Sequence, residues 1–145
     1  MDEVIYHLKK AVVMAKEKDI DLLGNGVVSE ILLSIELGHE WNNQHKHHDA
    51  SDEHGRKFEY KIGTRKHWSF PYLTSKTVKR IRGYDGVYLA LRKDLEITDI
   101  WFLHDMELLK SYMERKVRAS KSTKDRVTVH IYDSALEELN AQKVK

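Results

Sequence analysis

Cysteine is absent from the 145 residues. That excludes disulfides, thiolate zinc sites and cysteine nucleophiles together, and the expectation is a reducing, cytoplasmic setting. Proline occurs once, at Pro71. No repeat is visible, and no linker divides the chain. No apolar run approaches the length of a membrane span, so no membrane partner is expected. Met1-Asp2-Glu3-Val4 lacks the basic start and apolar stretch of a secretory signal. What is present is 41% hydrophobic and 33% charged residues. This suffices for one buried core but is too little for two. A single domain over residues 1–145 is expected.

The net charge of +2 hides a strong segregation. Residues 1–55 carry five basic against eleven acidic groups, and residues 56–93 carry eleven against two. Residues 94–109 carry no basic group and five acids, and residues 110–126 carry seven basic against two acidic groups. Basic segments beside acidic ones suit a polyanion held near a metal, or simply a solvated surface of mixed charge.

Hydrophobic spacing predicts a helix over 3–17, through Val4, Leu8, Val12 and Ala15. A second helix is predicted over 27–38, with Val27, Val28, Ile31, Leu32 and Ile35 as its buried stripe and Gly38 as its stop. Alternation from Lys57 to Ile62 predicts a strand with Phe58, Tyr60 and Ile62 on one side and Glu59 and Lys61 on the other. Residues 63–73 read as a loop, and residues 75–82 as a short basic helix capped by Thr74. Strands are expected over 87–91 and 97–103, a helix capped by Asp105 over 106–116, a strand over 126–132, and a last helix over 134–142 opened by Ser134 and Glu137. The sum is an α/β domain, a central sheet flanked by helices, with its core at about 27–132.

The segment from His48 to Lys61 carries the chemistry. Glu59 and Lys61 share a strand face, roughly 6–7 Å apart along the chain. Asp49 precedes them across a turn at Glu53-His54-Gly55, so its carboxylate can fold back beside Glu59; Asp52 is the competing acid on a tighter hairpin. Two close carboxylates repel unless a proton or cation lies between them. Mg²⁺ suits such hard oxygen ligands, with Mn²⁺ as a substitute. Lys61 can orient water or stabilise charge on phosphoryl oxygens, so the trio makes a workable site for phosphodiester hydrolysis. Glu114-Arg115-Lys116 repeats the pattern on a predicted helix, where residues two apart do not share a face.

These residues resemble the core of the PD-(D/E)XK nuclease superfamily, restriction-endonuclease-like members in particular. The matching positions are Glu30 on the second helix, Asp49-Ala50, and Glu59-Tyr60-Lys61; His48 stands where many members have proline. The resemblance covers roughly residues 27–103. It implies a restriction-endonuclease-like α/β fold and a Mg²⁺-dependent endonuclease, site-specific on duplex DNA. Asp49, Glu59 and Lys61 would be catalytic, Asp49 and Glu59 would bind metal, and Glu30 would add a ligand or support one. A homodimer would cut both strands. A Holliday-junction resolvase shares the core and would read branched DNA, and a non-catalytic nucleic-acid-binding module is the rival of another class.

His45, His47, His48 and His54 raise a zinc or HNH-type reading, against which stands the absence of cysteine and of ligand spacing. For DNA binding the candidates are Arg65, Lys66, Lys76, Lys79, Arg80 and Arg82, which supply phosphate contacts. Residues 115–126 read as a basic loop; Trp41, Trp68 and Trp101 read as packing residues, Trp68 being the one to test for stacking on a base.

Overall fold

The computed structural model describes residues 2–19, 26–42, 48–120 and 126–145. Its helices are α1 (Asp2–Glu17), α2 (Gly26–Leu37) and α3 (Met106–Ala119). Its strands are β1 (Glu40–Trp41), β2 (Ala50–Ser51), β3 (Lys57–Gly63), β4 (His67–Leu73), β5 (Gly86–Lys93), β6 (Glu96–Leu103), β7 (Val127–Tyr132) and β8 (Gln142–Lys143). Short 3₁₀ turns cover Val78–Gly83 and Asp133–Ala135.

Six strands form one mixed sheet in the order β1-β2-β3-β5-β6-β8. β3 and β5 run parallel, Glu59 beside Val87 and Lys61 beside Leu89, and the other pairs are antiparallel. The parallel pair needs a crossover, and β4 with the 3₁₀ turn supplies it. The alternation of β3 then sorts its side chains between two cores. Phe58 and Tyr60 pack with Leu32, Leu33 and Ile100 beneath α2. The opposite face carries Val87, Leu89 and Leu103, which pack with Phe70, Leu109, Met113 and Ile131 from β4, α3 and β7. Glu59 and Lys61 face that second core at its rim.

Local signals account for most elements. The Asp105 carboxylate accepts the Leu108 N–H at 3.0 Å and opens α3. Gly38, with φ +67°, ends α2 by donating its N–H to the Ile35 carbonyl. The β2–β3 turn has Gly55 at φ +74°, and Asp52 locks it by accepting from the His54 and Arg56 N–H groups and pairing with the Arg56 guanidinium at 2.7 Å. Asp85 does the same where β5 begins, its carboxylate accepting the Lys57 N–H at 2.8 Å. Gly86 has no room for a side chain, since an added Cβ would stand 2.2 Å from the Phe102 ring.

Several expectations are corrected. Residues 67–73 are not a loop: Trp68 and Phe70 alternate inward and β4 pairs with β7 in a separate two-stranded ribbon. Pro71 is tolerated there because it falls in the break of that pairing between Phe70 and Leu73. The basic helix after Thr74 is a turn and a 3₁₀ segment, nucleated by reciprocal hydrogen bonds between Thr74 and Thr77. The last helix does not form. Ala135, Leu136 and Leu139 bury within the turns after Asp133, Asn140 turns the chain at φ +52°, and the remainder adds to β6 as β8. So few residues make a marginal helix, whereas the sheet edge offers ladder hydrogen bonds at once. The basic stretch from Arg115 begins inside α3; Lys121 and Lys124 lie outside the described residues.

Among the described residues no helix is long and apolar enough to cross a membrane.

Candidate active site

The site is built where β2 and β3 part. β2 is two residues long, and Asp49 immediately precedes it. The Asp49 N–H still donates to the Phe58 carbonyl at 2.9 Å. One step on, its side chain replaces the ladder: the Tyr60 N–H donates to Asp49 Oδ2 at 2.8 Å. This bond fixes the Asp49 carboxyl on the edge of β3, within hydrogen-bonding reach of Glu59. Asn42 holds the approach from the other side, its N–H donating to the Asp49 carbonyl and its side-chain amide to the His48 carbonyl, both at 2.8 Å.

Lys61 Nζ lies 3.4 Å from Glu59 Oε1, with the two side chains only 24% and 19% exposed. The ammonium also sits over the Phe70 ring at 4.9 Å. Burial and the neighbouring Glu59 charge push the Asp49 carboxyl up to about 7, against the pull of the Tyr60 N–H and Lys61. Asp49 therefore carries a proton over part of the population near neutral pH. Tyr84, in the turn before β5, shares the cavity wall with Glu59; burial and the two acids push its phenol up to about 12, so it stays neutral.

Glu59 and Lys61 line a cavity of about 250 Å³. Tyr72, Thr77, Arg80 and Tyr84 stand around it. On the other side of β3, Glu30 and Lys61 line a second cavity of about 300 Å³ with Ser29, Tyr60 and Arg92.

The structure brings Asp49, Glu59 and Lys61 together. Asp52 is instead spent on the hairpin turn, where the Arg56 and His54 N–H groups and the Arg56 guanidinium hold its carboxyl below the ordinary range. Glu30 accepts from the Trp41 indole at 3.1 Å. Among the described residues no group of three His, Asp or Glu is set to hold a metal. His45 and His47 lie outside the described residues; His48 contributes its carbonyl, and His54 is an exposed residue of the turn. Of the basic candidates, Arg80 is beside the site. Arg65, Lys66, Lys76 and Lys79 are exposed, Lys66 facing Asp133 at 3.6 Å; the Arg82 side chain lies outside the described residues.

Trp68 is 2% exposed, and its indole donates to the Ala90 carbonyl at 3.0 Å, so it is the packing residue it reads as, and the stacking alternative falls. Two residues went unread in the sequence, Tyr84 and Tyr72. Tyr84 precedes the Asp85-Gly86 turn, a turn beside a parallel strand pair being a usual place for site residues; nothing in the spacing singled out Tyr72.

The chain matches no protein-family model, and no curated protein matches it.

Proposed function

We propose that the chain is a Mg²⁺-dependent DNA endonuclease with a restriction-endonuclease-like core, hydrolysing phosphodiester bonds. The observation that carries this reading is the placement of Lys61 against Glu59, with the Asp49 carboxyl beside them, where Glu59 and Lys61 line a notch with Arg80. A helix bearing an acid, a hairpin bearing Asp49 and Glu59, and a parallel crossover to β5 support the core assignment.

The donor set fits a hard divalent cation. Asp49 and Glu59 are both hard oxygen ligands, and the proton that Asp49 holds is the kind a cation displaces. Mg²⁺, with Mn²⁺ as a substitute, would be held by these two side chains and would supply Lewis-acid chemistry at the phosphate. Lys61 stabilises the charge that grows on the phosphoryl oxygens. Glu59 and Phe70 fix the ammonium in place, so little ordering remains to be done at reaction. The neutral Tyr84 hydroxyl lines the cavity with Glu59 and offers a polar group to the substrate. Arg80 and the exposed Lys76 and Lys79 take neighbouring phosphates, a contribution that weakens with salt. One centre per chain calls for a homodimer to cut both strands of a duplex site-specifically.

The test is plasmid cleavage in Mg²⁺, in EDTA and by Lys61→Ala protein, with a linear duplex and a four-way junction in parallel. Cleavage by wild type alone, in Mg²⁺ alone, is the expected outcome. Activity surviving EDTA or the substitution overturns the mechanism. Binding of DNA without cleavage by wild type points instead to a binding module, and preference for the junction to a resolvase.

A further inference from the structure

β4 loses register with β7 between Phe70 and Leu73. Within that break Tyr72 has φ +58°, a backbone conformation that glycine adopts freely and an aromatic residue only under strain. Its side chain is 71% exposed, so burial does not repay the strain. Irregularities of this kind gather beside functional sites, where they re-aim a side chain. The break here places Tyr72 in the lining of the cavity that holds Glu59 and Lys61, together with Arg80 and Tyr84.

That cavity measures about 250 Å³. Pockets that enclose a whole small molecule run roughly 300–1,000 Å³. The notch therefore admits one part of a larger substrate. Its lining offers cations, Lys61 and Arg80, and a bare aromatic ring. A nucleotide presents the matching pair of groups, an anionic phosphate and a flat base.

We propose that Tyr72 is a base-stacking platform, holding one nucleobase away from its neighbours while the adjacent phosphate lies against Lys61 and Arg80. This rests on the nuclease reading for the phosphate, and it names the substrate more closely: DNA whose base stack is open at the cleavage point. Stacking on a tyrosine face tolerates any base, so Tyr72 contributes affinity and placement but no sequence preference.

Photocrosslinking of the full chain tests this with oligonucleotides carrying 5-iododeoxyuridine at successive positions, irradiated in EDTA so that no strand is cut. The expected result is an adduct on Tyr72, mapped by peptide mass spectrometry. Tyr72→Leu weakens DNA binding about tenfold, the loss of one stacked base, and Tyr72→Phe restores it. Tyr72→Gly also loses the affinity yet raises the melting temperature by a few degrees, because the strain is released. Adducts only elsewhere, with Tyr72→Leu binding like wild type, overturn the platform. An adduct on Tyr72 in a protein that never cleaves keeps the platform and removes the nuclease reading. Cleavage indifferent to Tyr72 does the reverse, and failure to bind DNA removes both.

Discussion

Glu59-Tyr60-Lys61 and Glu114-Arg115-Lys116 set the same pattern on two backbones. On β3 the acid and the lysine meet at 3.4 Å, while Tyr60 turns to the opposite core. On α3 they separate. Glu114 faces Lys110 at 3.1 Å one turn before it and Arg118 at 3.9 Å one turn after. Arg115 pairs with Glu138, and Lys116 lies over the Tyr112 ring at 5.3 Å. A strand gathers residues two apart onto one face, and a helix disperses them. The strand copy also has a second acid delivered to it, because Asp49 takes the Tyr60 N–H where β2 gives out. Short motifs acquire chemistry from the backbone that carries them.

The contrast breaks most readily at Lys61. Lys61→Ala is expected to lower the cleavage rate by about 10³-fold, and Lys116→Ala to leave it unchanged, both measured as nicking of supercoiled plasmid. Equal loss in the two proteins would erase the distinction drawn here.

Protons give the next largest effect. Asp49 has an ordinary value of 3.8, raised to about 7 in the fold. The folded state thus holds its proton more tightly than the unfolded chain. The stabilisation is complete below the unfolded value and is lost as pH rises through the folded one. In EDTA, wild-type stability relative to Asp49→Asn should fall between pH 4 and 7, at up to about 1.4 kcal/mol per pH unit. Added Mg²⁺ should stabilise increasingly as pH climbs through the same window, since it competes with the proton. Urea denaturation across pH measures both, and parallel curves for the two proteins would refute the raised Asp49.

Tyr84→Phe removes the hydroxyl that lines the cavity beside Glu59. Calorimetric Mg²⁺ titration should show affinity reduced by about tenfold with folding intact, as for other polar groups beside a ligand. The smallest effect belongs to the helix. Glu114→Gln loses two surface pairs worth about 0.3–0.5 kcal/mol each, visible only as a slight shift in thermal unfolding.

Elements whose signal lies within their own residues were readable in advance: the alternation of β3, the cap at Asp105, the turn at Gly55, and the Asp49–Glu59–Lys61 trio. Elements defined by a distant partner were not. Trp68 and Phe70 alternate as a strand should, but Pro71 and the neighbouring Gly63 spoke for a loop, and only β7, some sixty residues on, supplies the ladder. Ser134 and Glu137 have the spacing of a helix start, yet the edge of β6 claims the chain. Trp68 kept a stacking alternative because basic residues precede it, and tertiary packing removes it. Tyr84 is marked only by the turn that follows it, and Tyr72 carries no local mark, since its place comes from which wall of a notch it occupies.

Gly86 gives the molecule an unexpected lever. The missing side chain there lets Phe102 lie flat across the backbone, stacked on Tyr88 at 4.5 Å, which in turn meets Phe58 and His39. That row of rings is the bedding on which β3 rests, on the reverse of the edge that presents Glu59. A single methyl at position 86 becomes a wedge driven into the bedding, tilting the reactive edge without touching any group on it. Gly86→Ala protein should therefore remain folded while its near-ultraviolet dichroism and its Mg²⁺ affinity change together; a change in neither would show the rings to be idle filler.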